Sequence, residues 1–143
     1  MIVEIVAAYV RIVASTLQAA PLSLFDELKS GDLLFIDSSH ILMPGSDVDI
    51  LLNRVLPALP VGALVHIHDV FLPFDYPPIW GWRAYNEQQG IAPLLVSGAY
   101  RPLFSSAWAE RRLGERLARS IVLDLPRQPD AISASLWLEK CRS

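Results

Sequence analysis

An α/β domain built on an open sheet is the fold class that this sequence predicts, and three observations predict it. FIDSSH at residues 35–40 and VHIHD at residues 65–69 are each an apolar run that ends abruptly in Asp and His. A buried parallel strand reads this way when it delivers polar side chains to its C-terminal end, and in open α/β sheets ligands bind in the crevice outside those ends. Between the two strings, the apolar positions Val48, Leu51, Leu52, Val55 and Leu59 follow helical spacing. A strand–helix–strand unit needs a right-handed crossover, so the two strands are expected to be parallel and to present one shared site.

The elements follow in order. Residues 10–15 (VRIVAS) are rich in β-branched side chains and predict a strand. Pro21 introduces a short amphipathic helix over residues 22–28, closed by Lys29 and by Gly31 as its C′ glycine. Residues 33–36 lack polar alternation, which fits a strand covered on both faces. After a loop over residues 38–45, Ser46 is the expected N-cap, with Asp47 and Asp49 in the first turn, where the helix dipole favours them. Pro57 shortens this helix, Pro60 and Gly62 end it, and residues 63–67 form the second buried strand. Residues 71–82 (FLPFDYPPIWGW) are too proline-rich for regular structure and predict a long aromatic loop leaving the sheet at its functional edge. Such a loop either covers a substrate, with Trp80 and Trp82 as flat apolar walls, or covers the core. A helix is expected over residues 83–95, then strands over 100–105 and 132–138. An intervening helix carries Arg111, Arg112, Arg116 and Arg119, whose spacing marks a wet face. With no repeat, low-complexity tract or linker, residues 1–143 read as one domain.

Composition sets the outer bounds. An apolar fraction of 52% and a charged fraction of 19% argue against disorder. The net charge of −3 gives no basic footprint, so a nucleic-acid partner is not expected. The lone Cys141 excludes an internal disulfide and a cysteine-rich zinc site, and fits a reducing, cytoplasmic setting. The first twenty residues are strongly apolar, but Glu4 and Arg11 interrupt them. The uncharged run over residues 5–10 is far short of the ~20 residues that span a bilayer. Neither a signal peptide nor a membrane anchor is expected.

Asp37 and Asp69 form the sharpest pair of candidate site residues. Two carboxylates close together are tolerated mainly when they share a cation or a proton, and oxygen ligands suit Mg²⁺ or Ca²⁺. The alternative is that they cap loops or helix ends. His40, His66 and His68 are all the histidines of the chain, and all fall near the same edge. His66 reads as a hydrogen-bonded core group, while His40 and His68 stay open between core and site. A zinc-hydrolase string of the form H-x-H-x-D-H is not completed, because Asp69 follows His68 directly and the terminal His is missing. A serine triad from Ser38 or Ser39 with a histidine and Asp69 lacks the G-x-S-x-G elbow that exposes a nucleophile.

GDLLFIDSSH, then PGSDVD, then LPVGALVHIHDVFLPFDYP, followed by Tyr85-Asn86-Glu87-Gln88 and the closing SLWLEK, is an ordered series of strings. It resembles the second half of class I S-adenosylmethionine-dependent methyltransferases. It is most similar to a bacterial branch that carries F-I-D-S-S-H and H-x-H-D-[IV]-F at the ends of its fourth and fifth strands. The resemblance implies a Rossmann-like methyltransferase sheet, mostly parallel with an antiparallel late strand. By that pattern residues 10–15 are the third strand, and the domain is truncated at its N-terminus. Gly31 is the first glycine and no G-x-G occurs, so the glycine-rich turn that cradles the cofactor is missing. A sheet without its first two strands exposes an apolar edge on residues 33–36. The chain is then expected to self-associate through that edge, or to pair residues 10–15 directly with it.

The resemblance further implies O-methyl transfer from S-adenosylmethionine to a small-molecule hydroxyl. His40, His68 and Asp69 would be catalytic, with His40 or His68 as general base; Asp37 and Ser38 would contact the cofactor; and Phe74, Tyr76, Trp80 and Trp82 would form the substrate loop. In metal-dependent relatives the acidic residues ending the fourth and fifth strands hold a divalent cation, and Asp37 and Asp69 stand in those places, which implies Mg²⁺. Two other readings remain: a non-catalytic scaffold or interaction remnant, and a metal-dependent hydrolase using Asp37, His40, His68 and Asp69.

Overall fold

The structure, a computed structural model, describes residues 3–7, 10–126 and 128–142, with 3–7, 122 and 123 described by backbone path alone. The described residues form two sheets. The smaller is an antiparallel pair, β1 (Val3–Ala7) and β2 (Val10–Ala14), in the register Ile5 opposite Ile12. The larger has four strands in the order β3 (Leu33–Ile36), β4 (Leu64–His68), β6 (Ser135–Lys140) and β5 (Tyr100–Ser105). β3 and β4 are parallel, with Leu34 opposite Val65 and Ile36 opposite Ile67. β6 runs antiparallel to both β4 and β5.

The domain is therefore α/β on a mixed open sheet. β3, β4 and β5 share a direction, yet only one pair is parallel, because the last strand inserts between β4 and β5. This corrects the expectation of a mostly parallel sheet as far as pairing goes. Residues 10–14 pair with β1 and not with β3, whose outer edge has no strand beside it among the described residues. Loop closure explains the choice: the neighbouring segment in sequence offers a hairpin at lower entropic cost than a distant edge.

The crossover from β3 to β4 is one helical run. It begins as α1 (Asp47–Ile50), widens into a π-helical turn (Leu51–Val55) and closes as α2 (Leu56–Ala58). Ser46 caps it as expected, its hydroxyl accepting from the Asp49 N–H at 3.1 Å. At the other end, carbonyls of the last turn are met from the sheet. The Tyr100 hydroxyl donates to the Leu56 carbonyl at 2.7 Å, and Lys140 Nζ donates to those of Leu56 and Pro57 at 3.0 Å each. A buried lysine is unusual, and burial pushes its ammonium pKa down. The negative end of the helix dipole and the two carbonyls supply what water would have given it.

Other elements depart from the sequence expectation in type or bounds. Residues 22–27 form a 3₁₀ helix (Leu22–Glu27). The aromatic loop contains a second one (Pro78–Arg83), and α3 begins only at Glu87 (Glu87–Val96). The Arg-rich helix is split into α4 (Ser106–Arg112) and α5 (Gly114–Leu117), followed by a 3₁₀ turn (Ile121–Asp124).

One face of the main sheet carries the core. Leu34, Ile36, Val65, Ile67, Leu136 and Leu138 pack against Val48, Leu51, Leu52, Val55 and Leu56 of the crossover and Ile91 of α3. The opposite face is largely bare. Leu33 and Phe35 point there, 45% and 57% exposed, which corrects the expectation that this strand is covered on both sides. His66 lies on that face between the Phe35 and Trp137 rings, with centroids at 4.6 and 4.5 Å.

Candidate active site

Adjacent parallel strands ending at Ile36 and His68 bring the two polar strings to one edge. Two of the residues there take the left-handed backbone conformation that L side chains disfavour: His40 at φ 60° and Asp69 at φ 55°. Such strain persists where the surrounding structure over-determines it, commonly at ligand sites.

His40 is the buried centre of the cluster. Its Nδ1 lies 2.9 Å from Glu87 Oε2, and Glu87 is 2% exposed. Ser38 Oγ donates to Glu87 Oε1 at 3.0 Å and accepts from the His40 N–H at 3.0 Å. With Nδ1–H given to the carboxylate, Nε2 is the nitrogen left for chemistry, and it faces Asp37 Oδ1 at 3.4 Å and Asp69 Oδ2 at 3.8 Å. His68, half-exposed, turns its Nδ1 to Asp69 Oδ1 at 3.2 Å and Asp37 Oδ1 at 3.6 Å. Burial disfavours a charged His40, but the hydrogen bond and charge of Glu87, helped by Asp69 and Asp37, outweigh it and raise the imidazole pKa above its ordinary value. His66 moves the other way, lowered first by burial and then by the neighbouring His68, against the pull of Asp37. The hydrogen bond expected of His66 as a core group is absent at Nδ1, which has no partner among the described residues.

Tyr85-Asn86-Glu87-Gln88 locks this edge together. The Asn86 and Glu87 N–H groups donate to the His40 carbonyl at 3.0 and 3.2 Å. The Asn86 side chain takes the Leu42 N–H at 2.6 Å and returns a bond to the Leu42 carbonyl at 3.3 Å. Gln88 ties down the aromatic loop, accepting from the Phe71 N–H and donating to the Phe74 carbonyl, both at 3.1 Å. The Tyr85 ring rests against His40 at 4.5 Å between centroids.

Of the four expected loop residues, three serve as a cover for the core. Phe74, Tyr76 and Trp80 pack on the buried Phe71, Ala107 and Ala134 in a small second cluster. Burial, as the main cause, pushes the Tyr76 hydroxyl pKa up to about 12. Trp82 stands apart, 80% exposed. Arg83 links loop to site: its guanidinium lies over the Trp80 ring at 4.2 Å, while NH1 approaches Asp69 Oδ2 at 3.7 Å. Arg111, Arg112, Arg116 and Arg119 are exposed, as expected of a wet face, and Arg111 also stacks on the Phe74 ring at 4.1 Å.

An open groove of about 560 Å³ runs beside β3, lined by Leu17, Phe25 and Phe35 and ending at Asp37 and Ser38. The structure supplies no free serine nucleophile here, since Ser38 is bonded to Glu87 and the Ser39 hydroxyl to Asp47. For a metal, the convergent set is Asp37, His40 and His68, one donor atom of each lying within 4.8 Å of the others. Asp69 lies outside that set.

No protein-family model, curated protein or solved structure matches this chain. The site residues that sequence reasoning missed are Arg83, Asn86, Glu87 and Gln88. The last three stood in the text as a motif string, and the pairing of Glu87 and Gln88 at the start of a helix, straight after an aromatic loop, is the signal that could have placed them.

Proposed function

We propose that this chain is the acceptor side of a methyltransferase-like domain that uses S-adenosylmethionine to methylate a small-molecule hydroxyl. The observation that carries this reading is the meeting of Asp37, His40, His68 and Asp69 at the ends of two adjacent parallel strands. The β3 groove supports it: its volume of about 560 Å³ falls in the range of small-molecule sites, and Asp37 and Ser38 stand at its polar end. Bound there, the cofactor would supply an electrophilic methyl group on sulfur.

The chain's own residues would handle the proton. His40 Nε2, the ring nitrogen not held by Glu87, would accept that proton from the acceptor hydroxyl. Glu87 holds the ring by Nδ1 and stabilises the imidazolium that forms, which is the role of an orienting carboxylate behind a general base. Gln88 and Arg83 keep the aromatic loop closed against the site.

The Mg²⁺ implied by the resemblance does not fit. The Asp37 and Asp69 oxygens face the imidazoles of His40 and His68, and Asp69 also faces Arg83, whereas Mg²⁺ demands an octahedron of oxygens. No step is drawn through it. Among the described residues no helix is long and apolar enough to cross a membrane, and the exposed free Cys141 suits a cytoplasmic setting.

Calorimetric titration with S-adenosylhomocysteine tests the reading. Micromolar binding that weakens at least about tenfold in Asp37→Ala, a change of ~1.4 kcal/mol, is expected. The absence of binding at millimolar ligand would overturn it and leave a scaffold without its cofactor.

A further inference from the structure

We propose that Asp37, His40 and His68 form a binding site for a divalent transition metal, with Zn²⁺ as its occupant. The donors are one carboxylate oxygen and two imidazole nitrogens, a set that suits zinc and its first-row neighbours and not the oxygen-seeking Mg²⁺ or Ca²⁺.

Distances support this. Zinc bonds of about 2.0–2.2 Å at a tetrahedral angle place neighbouring donor atoms roughly 3.4 Å apart. Asp37 Oδ1 lies 3.4 Å from His40 Nε2 and 3.6 Å from His68 Nδ1, so two of the three edges already have that length, and the third lies within 4.8 Å. An octahedral Mg²⁺ with bonds near 2.1 Å needs cis edges of about 2.9 Å, a contraction on every side.

A second, independent feature lies behind the cluster. Metal-bound histidines almost always give their other ring N–H to a carboxylate or carbonyl, which fixes the tautomer and the ring. His40 does this with Glu87, at 2.9 Å, in a buried pocket that Ser38 completes. Asp37 and His68 are 59% and 47% exposed at their side chains, so a cation held by three protein atoms keeps a solvent-facing position. That is the pattern of zinc sites that act on a ligand, whereas structural sites are closed by four protein donors. Asp69 borders the cluster, 3.2 Å from His68 Nδ1 and 3.8 Å from His40 Nε2, and also faces Arg83 at 3.7 Å, but it is not one of the three convergent donors.

The inference stands on this geometry and not on the methyltransferase reading. A bound Zn²⁺ withdraws both imidazoles from proton transfer, so zinc would inhibit methyl transfer by His40, and the two claims fail separately.

The test is titration of the chelator-stripped full chain with Zn²⁺, and with Co²⁺ as a spectroscopic probe, in the absence of any cofactor. One equivalent is expected to bind at micromolar strength or better, with Co²⁺ giving visible d–d bands. Millimolar Mg²⁺ is expected not to compete. Asp37→Ala and His68→Ala, at exposed positions that leave the core intact, should each weaken binding at least tenfold. Glu87→Gln should weaken it about 10–100-fold through the orientation of His40. No stoichiometric binding, displacement of Zn²⁺ by Mg²⁺, or affinity unchanged in both Asp37→Ala and His68→Ala would overturn the site and assign any bound zinc to His66 or Cys141.

Discussion

Glu87 and His40, 47 residues apart in sequence, meet at 2.9 Å in a pocket that excludes water, and their contact joins the start of α3 to the end of β3. Each is the other's closest side-chain partner. Glu87 also receives Ser38, so a single carboxylate organises both the imidazole and the loop that carries it.

Glu87→Ala should therefore destabilise the fold strongly. Removing one member of a buried charged pair costs about 3–5 kcal/mol, because the remaining partner stays desolvated and unpaired. Glu87→Gln keeps an acceptor and should cost less, about 1.5–3 kcal/mol, the worth of a charged hydrogen bond. Urea unfolding, read as a shift in midpoint at constant slope, checks both. An Ala variant as stable as wild type would mean that the pair forms no part of the folded state.

Asp47 gives a pH dependence. Burial pushes its carboxyl pKa up, but the Ser39 hydroxyl and N–H and the Val48 N–H outweigh that and hold it below the ordinary carboxylate range. A depressed carboxyl contributes stability fully above its unfolded pKa of about 3.9, and loses it as pH falls through the folded value. Asp47→Asn should thus be less stable than wild type at neutral pH, and the gap should close on acidification below about pH 4. A gap that is the same at acid and neutral pH would show that the charge on Asp47 does not matter.

Lys140 and Tyr100 cap the same helix end and should be coupled. Lys140→Met leaves the Pro57 carbonyl without its donor and should cost about 1–3 kcal/mol. Tyr100→Phe should cost less, about 1 kcal/mol, because Lys140 still reaches the Leu56 carbonyl. The double variant is expected to exceed the sum of the two, since only then is the Leu56 carbonyl left with the Leu59 N–H alone, at 3.3 Å. Strict additivity in thermal or urea unfolding would remove the shared cap.

The uncovered edge of β3 predicts association. Leu33 and Phe35 are exposed on a strand that has no neighbour on one side among the described residues, and such edges template pairing with another chain. Sedimentation velocity over a range of concentrations should show growth beyond monomer, and the double replacement Leu33→Lys and Phe35→Lys should abolish it. A wild-type chain that stays monomeric throughout would exclude the edge as an interface.

The strand ends were readable because their chemistry is local. An apolar run closing in Asp-Ser-Ser-His or His-Asp carries its own address, and Ser46 announced its helix through residues one turn away. What distance in sequence conceals was not readable. Residues 3–7 gave no strand because Val-Glu-Ile-Val-Ala has meaning only beside residues 10–14. Glu87 carried no mark of its partner, since the pairing depends on how α3 docks, and no periodicity records that. The place of β6 was hidden for the same reason: its alternation of buried Leu136, Leu138 and Lys140 says strand, but not between which neighbours.

That last strand has a consequence for how the molecule is made. Among the described residues β6 is the only strand paired with β5 and the only antiparallel partner of β4. Without it β5 keeps no strand partner among the described residues, and the crossover helix loses the amine of Lys140 from its C-terminal carbonyls. β6 thus acts as a latch: one strand fastens β5 to the β3–β4 unit and closes the end of the helix between them.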